Sequence, residues 1–345
     1  MSTRKKTRWI LYIVVILLAA GGFYIYREFF GPSVKLNKNY TFVYIETGDN
    51  LDDVAEQVNS EKIIEDVKAF RWLAGKMELE KNIHPGKYRI INGMSVRQII
   101  NLIKYSKEEK VKLTYNSQIH NLDEFVTYTA DKLEMNEGEI EDYLSDDKKL
   151  NDKFGLDPDN AFALITPGVY EVSWALNTDD LFELLSKKYR EVWNDKRLAK
   201  AKKSGFSVPE IITLASIVQN ESSIESEQQK IAGVYINRLN KGMLLQADPT
   251  LKFANKNYDA QRVWDTDKES NSPYNTYRFK GLPPGPISLV GTQAIDATLN
   301  YSKHNYIFFC AKCELNGYSD YSNTYEQHRK FADKYQKAMD KRGIK

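Results

Sequence analysis

The sequence predicts an α+β protein made of an N-terminal transmembrane helix, a small αβ subdomain and a larger mixed α+β domain. Three observations carry that expectation. An uncharged apolar run fills Trp9 to Tyr26; short alternating strands are interleaved with helix-spaced apolar residues between 40 and 108; and from 109 onward helical stretches alternate with Pro- and Gly-containing extended segments. A chain of 345 residues with 42% apolar content can build about two buried cores.

The first element is the apolar run. Arg4, Lys5, Lys6 and Arg8 precede it, and Arg27 and Glu28 follow. At about 1.5 Å per residue it reaches roughly 27 Å, close to the roughly 30 Å of a hydrocarbon core. The small residues Ala19 to Gly22 resemble a signal-cleavage site, but the apolar "FYIY" continues past them, which favours an uncleaved anchor. The basic cluster keeps residues 1–8 in the cytoplasm, so 9–27 would cross the cytoplasmic membrane once and the rest of the chain would lie outside it. Lys and Arg number 49 against 47 Asp and Glu, and no basic tract follows the first ten residues, which argues against a nucleic-acid partner. Neither G-x-x-x-x-G-K nor G-x-G-x-x-G occurs, and no cofactor is expected. Cys310 and Cys313 form one C-x-x-C without further ligands nearby, which reads as a disulfide or an inert pair and not as a metal site.

After a linker over 28–39, "YTFVYIETGD" alternates Thr41, Val43 and Ile45 with other residues and ends in a turn, as a strand does. Leu51, Val54, Ala55 and Val58 then fall at helical spacing behind an Asn50 cap, and a second helix is expected from about Ile64 to Lys76. "HPGKYRIINGMSVRQIINLI" reads as strand, turn and helix, with Val96, Ile99, Ile100 and Ile103 on the apolar face. This unit, 40–108, is either a packing spacer or a glycan-binding module resembling LysM.

The second domain, 109–345, begins with two amphipathic helices, "NLDEFVTYTADKLEM" and "NTDDLFELLSKKYREVW", the latter capped by Asn177 or Thr178. Between them lies an extended stretch broken at Pro167 and Gly168. From Pro209 a helix places Ile211, Leu214 and Val218 on one side, and Glu221 is the next position on that side. A helix ending with its glutamate in water, or bridging to Arg238, is the plain reading. The chemical reading is that a carboxyl continuing an apolar face is desolvated, so its pKa rises and it becomes a proton donor near neutral pH. The following helix fits a Ser226 and Gln229 capping box, carries Ile231, Val234, Tyr235 and Leu239 on its apolar side and ends at Gly242. "MLLQADPT" offers Asp248 as a cap before Pro249. "SPYNTYRFKGLPPGPI" forms a polar and aromatic loop before a helix over 291–299. Aromatic faces and amides around one acid suit packing and hydrogen bonding to a sugar ring.

In "LASIVQNESSIESEQQKIAGVYINRLNKGMLLQADPT", "YNTYRFKGLPPGPI" and "SNTYEQHRK", in that order, the chain resembles the endolytic murein transglycosylases, a family also called YceG-like, from about Tyr40 to Lys337. The resemblance implies a membrane-anchored lyase with a LysM-like subdomain. Such an enzyme cleaves the β-1,4 bond between N-acetylmuramic acid and N-acetylglucosamine in nascent glycan strands and leaves 1,6-anhydro ends. It places the catalytic glutamate on Glu221 and substrate contacts on Asn237, Gln246, Asp248, Thr250, Asn275, Tyr277 and His328, with Thr324 in the last motif. Arg238 and the Pro283, Pro284 and Gly285 turn, which runs on to Ile287, would be structural supports, Arg238 through an ion pair or by holding the acid's loop. Glycan strands, and with them wall synthases and division proteins, follow as partners from the resemblance alone. Two departures are visible: many relatives carry an acid where this chain has Gln219, and a P-D-T-Y-like stretch where it has Pro167 to Tyr170. A hydrolase would need a second carboxylate, for which Asp248 and Glu225 are the candidates; Asp248 reads better as a helix cap. A muramidase and a non-enzymatic wall-binding scaffold stay as the alternative readings.

Overall fold

The computed structural model describes residues 3–260 and 263–341; the side chains of residues 3–8, 10, 24, 25 and 28 lie outside that description. It is a mixed α+β protein, built from helices and three two-stranded sheets among the described residues. It divides into two compact units. The first comprises Met1–Lys112, Lys132–Met135 and Glu171–Asn177, the second Leu113–Asp131, Asn136–Tyr170 and Thr178–Lys345.

In the first unit, α1 runs over Thr3–Phe30. Its described side chains are unbroken only from Leu11 to Phe23, and among the described residues no helix is long and apolar enough to cross a membrane. The basic cluster at Arg4 to Arg8 lies outside the described side chains. Strand β1 (Tyr40–Ile45) leads to α2 (Leu51–Ser60), where Asn50 and Asp53 form a reciprocal capping box. Helix α3 (Val67–Lys76) starts three residues later than the spacing predicts, because Asp66 caps it by accepting from the Ala69 amide. Strand β2 (Gly86–Ile91) pairs antiparallel with β1, from Tyr40 opposite Ile91 to Ile45 opposite Gly86. Helix α4 (Val96–Lys104) buries the whole predicted face, Val96, Ile99, Ile100 and Ile103. Each such side chain contributes about 1.5–3 kcal/mol by leaving water.

Strand β3 (Val111–Tyr115) is followed by α5 (Leu122–Lys132), α6 (Glu137–Ser145) and α7 (Asp147–Phe154). A 3-10 helix over Pro158–Leu164 occupies part of the stretch predicted to be extended. Pro167 ends it, and β4 (Gly168–Val172) pairs with β3. Tyr170, in the divergent "PGVY", is buried and donates to the Thr166 carbonyl at 2.7 Å, so it braces its own turn. Helices α8 (Thr178–Val192) and α9 (Asp195–Ser204) lead to the core of the second unit.

That core is α10 (Val208–Glu221). Ser207 and Glu210 cap its start reciprocally, and Ile211 to Val218 are all buried, so the helix is enclosed on every side and not along one stripe. It packs with α11 (Glu225–Asn240), whose first turn has Ile224 at the cap position with no side-chain bond; the predicted Ser226 and Gln229 box does not form. Gly233 explains the closeness on α11's other side: a Cβ there would collide with the Ser302 carbonyl and meet His304 Nε2 at 2.8 Å. Helices α12 (Asp248–Ala254) and α13 (Thr292–Leu299), the antiparallel hairpin of β5 (Phe308–Ala311) and β6 (Ser319–Ser322), and α14 (Tyr325–Lys341) complete the unit. Cys310 lies on β5 and Cys313 in the hairpin turn; both are free thiols, and burial pushes the Cys310 thiol upward.

Candidate active site

Glu221 is the last residue of α10; Ser222 is already extended, so the chain turns away and the carboxyl stands at the negative end of the helix dipole. The residue is half-buried. Desolvation lifts its pKa to about 7, the Asp248 charge pushes the same way, and Tyr235, Lys252 and Arg238 pull against it. Among the described residues its one hydrogen bond comes from Tyr235, whose phenol donates to Oε1 at 2.6 Å. Tyr235 is 1% exposed, and burial together with the neighbouring carboxylate holds its hydroxyl protonated far above the ordinary range. A carboxyl near half-protonation at neutral pH, gripped through one oxygen, has its other oxygen available for proton transfer.

Sequence spacing put Tyr235 on an apolar stripe, and so missed it. The available signal was a lone hydroxyl among Ile231, Val234 and Leu239: a buried tyrosine needs a hydrogen-bond partner, and none stands beside it in sequence.

The structure sorts the remaining predicted residues into surface and support. Asp248 and Gln246 are exposed. Asp248 is the first residue of α12, with Ala247 at the cap position, so its carboxylate is not spent on capping as predicted; it accepts from the Tyr277 hydroxyl at 2.5 Å. Gln246 holds a positive φ of 50°, a conformation that costs a non-glycine residue of order 1 kcal/mol or more and that clusters at functional sites. Its amide is fixed by the Thr276 carbonyl at 3.0 Å.

Asn275 and Thr250, expected to meet substrate, are both 0% exposed and lie beneath that surface. Asn275 Nδ2 donates to the carbonyls of Lys268 and Ser270 at 2.9 and 2.8 Å, and its Oδ1 accepts from the Tyr277 amide at 3.0 Å. Thr250 donates to Ala247 O at 2.7 Å and shares a 2.8 Å hydroxyl contact with Thr276. Both therefore set the loop that presents Tyr277. Asn237 likewise spends its amide on the chain, donating to the carbonyls of His304 and Tyr306 at 2.7 and 2.9 Å.

Arg238 is 7% exposed and makes no ion pair among the described residues. Its guanidinium donates to Ile307 O and Leu245 O, each at 2.6 Å, tying the hairpin and the 244–246 loop to α11. His328 stacks on Phe308 at 5.2 Å, and its Nδ1 is buried without a hydrogen-bond partner among the described residues; desolvation and the Arg238 charge lower its pKa, which holds the ring neutral. Thr324 serves the start of α14, accepting from the Gln327 amide at 3.3 Å. Pro283 and Gly285 are buried and Pro284 exposed; the loop they begin is sewn to α10, with Ile287 N donating to Ser216 Oγ at 3.1 Å. Gln219 continues that seam: its amide donates to Leu289 O at 3.0 Å and its carbonyl accepts from Gly291 N at 2.8 Å, a two-way bond that an ionised carboxylate could not make.

A second acid went unremarked in the sequence. Glu227 is 1% exposed and accepts from the Ser319 amide and the Tyr321 hydroxyl, both at 2.8 Å, and from Lys230 at 3.0 Å. It pins β6 to α11. Glu225, the other candidate second carboxylate, is exposed at the first residue of α11. Among the described residues no cluster of His, Cys, Asp and Glu could hold a metal ion.

The endolytic murein transglycosylase of Bacillus subtilis (strain 168) is 27% identical over 340 residues, covering 92% of this chain and 91% of that protein. That of Streptococcus pneumoniae (strain D39) is 22% identical over 355 residues, and the match covers 92% of this chain but 62% of the pneumococcal protein. The crystal structure of a YceG-like protein from Listeria monocytogenes superposes with a TM-score of 0.57 at 24% identity, over 85% of this chain and 99% of that one, which establishes a shared fold. The YceG-like family model matches residues 43–334, and with the fold in agreement the chain belongs to the YceG-like family.

Proposed function

We infer that this protein is an endolytic murein transglycosylase: a lyase that cuts the β-1,4 bond between N-acetylmuramic acid and N-acetylglucosamine inside glycan strands, leaves 1,6-anhydro ends and so limits strand length. The observation that carries the chemistry is the Glu221 carboxyl, lifted to about 7 by desolvation and held by Tyr235 at 2.6 Å. Such a group gives its proton to the leaving glycosidic oxygen as an oxocarbenium-like sugar forms. As a carboxylate it then takes the proton of the C6 hydroxyl while that oxygen closes on C1. One carboxyl near its own pKa serves both halves without a water nucleophile. The exposed Asp248 and Gln246, with the half-buried Tyr277 between the loop and Asp248, form the side that would orient the sugar. The matches to proteins named for this activity support the assignment.

One observation favours hydrolysis of the same bond as the second reading. Asp248 is free of a capping role and its charge bears on Glu221, so a second carboxylate stands within electrostatic reach. Digestion of purified sacculi decides between them. Anhydromuramic ends that vanish with Glu221→Gln are expected; reducing muramic ends would establish a muramidase. Equal turnover by both proteins would remove Glu221 from the chemistry, and no turnover by either would leave a wall-binding scaffold.

The same reading places the protein in the cytoplasmic membrane, with a cytoplasmic tail over 1–8, a single anchor over 9–27, a linker over 28–39, a LysM-like subdomain over 40–108 and the catalytic domain, 109–345, outside. Supporting the anchor, Leu11, Ile13, Ile16, Leu17 and Leu18 are all exposed on α1, where water would oppose them and lipid would not. Wall synthases and division proteins are the proposed protein partners. Protease protection of the N-terminus in spheroplasts, with digestion of the remainder, is the expected topology result.

A further inference from the structure

The segment that follows α1 is fastened to the first unit. The Ser33 and Val34 amides both donate to the Met94 carbonyl at 2.9 Å, the Gly93 amide returns to Val34 O at 3.0 Å, and Leu36 N reaches Asn92 Oδ1 at 3.0 Å. Val34 itself is buried in the unit's core. The last turn of α1 is therefore fixed in place, and its neighbours there are α3 and α4.

Aromatic side chains gather where these helices meet. Phe29 stacks on Trp72 of α3 with ring centroids 5.1 Å apart, and Tyr26 stacks on Phe30 at 5.3 Å. Trp72 is 54% exposed, and Tyr26 and Phe30 are exposed with it, an apolar patch that water alone would oppose. Helical spacing sets Lys68 and Lys76 on the same outward row of α3 as Trp72, while Phe70 and Ala74 face the core. Lys76 Nζ lies 5.8 Å from the centre of the Trp72 ring, and the Arg97 guanidinium of α4 lies 4.9 Å from that of Phe30. Neither α3 nor α4 carries an acidic residue. Arg71 is paired with Asp52, and Lys104 reaches the Met77 carbonyl, so Lys68, Lys76 and Arg97 are the cations these helices turn outward.

We propose that this face is a seat on the lipid surface, with Phe29, Phe30 and Trp72 at headgroup depth and Lys68, Lys76 and Arg97 on the phosphates of anionic phospholipids. It rests on α1 crossing the bilayer, as inferred above. At about 1.5 Å per residue, Phe29 and Phe30 stand ~4.5–6 Å beyond Tyr26, where the apolar run ends, and the headgroup layer on each side of the hydrocarbon is ~5–7 Å deep. Trp72 touches Phe29 and shares that depth. An indole suits this layer because its ring meets the acyl boundary and its N–H meets water, and long cationic side chains reach from there to the phosphates. A second copy of the chain fits less well, since two copies meeting through this face would set Lys68, Lys76 and Arg97 against their like. The first unit thus rests on the bilayer at the point where the chain leaves it.

The test reconstitutes the full-length protein in vesicles of phosphatidylcholine and phosphatidylglycerol whose acyl chains carry bromine close to the headgroup. Tryptophan emission is compared among the parent, Trp72→Phe and Trp9→Phe, so that the difference spectra report Trp72 on the face and Trp9 in the apolar run. Bromine should quench the Trp72 component at least twofold. Lys76→Glu with Arg97→Glu should remove at least half of that quenching, as should replacing phosphatidylglycerol with phosphatidylcholine, while Trp9 quenching holds and the melting temperature stays within a few degrees. The charge-reversed pair keeps every ring, so it carries the test if Trp72→Phe does not fold. Quenched Trp9 beside unquenched Trp72 overturns the seat and leaves the anchor standing; both unquenched removes the anchor and the seat together. Trp72 quenching that neither charge reversal nor loss of phosphatidylglycerol reduces overturns it as well, because the cations then hold no phosphate. A dimer in detergent that Trp72→Ala splits, with Trp72 unquenched in vesicles, gives the face to a second copy instead.

Discussion

Tyr235→Phe isolates the hydrogen bond that sets the acid. The substitution keeps the buried ring, with its T-shaped contact to Phe309 at 5.8 Å, and removes only the donor that reaches Glu221 Oε1 at 2.6 Å. That donor favours the carboxylate, so its loss raises the Glu221 pKa beyond the about 7 that desolvation already imposes. A hydrogen bond to a charged group is worth about 1.5–3 kcal/mol, which at about 1.4 kcal/mol per unit moves the pKa up by one to two units. The first chemical step needs the protonated acid, so activity falls as pH rises through this pKa. The alkaline limb of kcat/KM should therefore move from near 7 to about 8–9, and the variant-to-parent activity ratio should climb between pH 6 and pH 9. Initial rates of anhydro-end release from short glycans, measured across that range, provide the assay. A limb that stays in place or moves to lower pH refutes the role given to Tyr235.

Other expectations follow from the same geometry. Glu221→Gln should abolish turnover yet stabilise the fold at alkaline pH. The folded pKa lies above the unfolded value of 4.5, so the wild-type carboxyl contributes stability that is complete below 4.5 and is lost as pH rises through about 7. The gap corresponds to about 3 kcal/mol as an upper figure, so melting curves of variant and parent should diverge at pH 8 and converge toward pH 5. Asp248→Asn removes a charge that raises the Glu221 pKa, so the alkaline limb should move down, opposite to Tyr235→Phe; anhydro products should persist, and complete loss of turnover would favour the two-carboxylate reading instead. Asn275→Ala leaves the Lys268 and Ser270 carbonyls and the Tyr277 amide without their partner, and should lower stability by about 2–4 kcal/mol while raising KM; a change in kcat alone would contradict a supporting role. Gly233→Ala adds a methyl against Ser302 and His304 and should cost about 1–3 kcal/mol of overpacking, more than the helix propensity it gains; a raised melting temperature would show that the 302–304 segment can yield.

Local pattern carried much of this protein. The βααβ order of the first unit, the face of α4 and the Asn50 cap are set by alternation, 3.6-residue spacing and short polar side chains, all properties of neighbouring residues. The continuation of α10's apolar side into Glu221 is legible on the same grounds, because the rise per turn fixes which side a residue faces wherever the helix packs. Spacing could not say how polar groups are spent. Asn275, Thr250 and Asn237 look like sugar ligands as residue types, but folding spends their polar groups within the protein: Asn275 on carbonyls of its own loop, Thr250 on the Ala247 carbonyl and the Thr276 hydroxyl, and Asn237 on carbonyls nearly seventy residues on. Asp248 looks like a helix cap, but the phenol of Tyr277 claims its carboxylate from a separate loop. Tyr235, fourteen residues after the acid, meets it only because α10 and α11 pack side by side, and Glu227 finds its partners ninety residues on. Sequence by itself determined where the Glu221 carboxyl sits on its helix, since that depends on local geometry. Tertiary structure decided what holds that carboxyl and which neighbours face outward, since hydrogen bonds and desolvation arise between segments that only folding brings together.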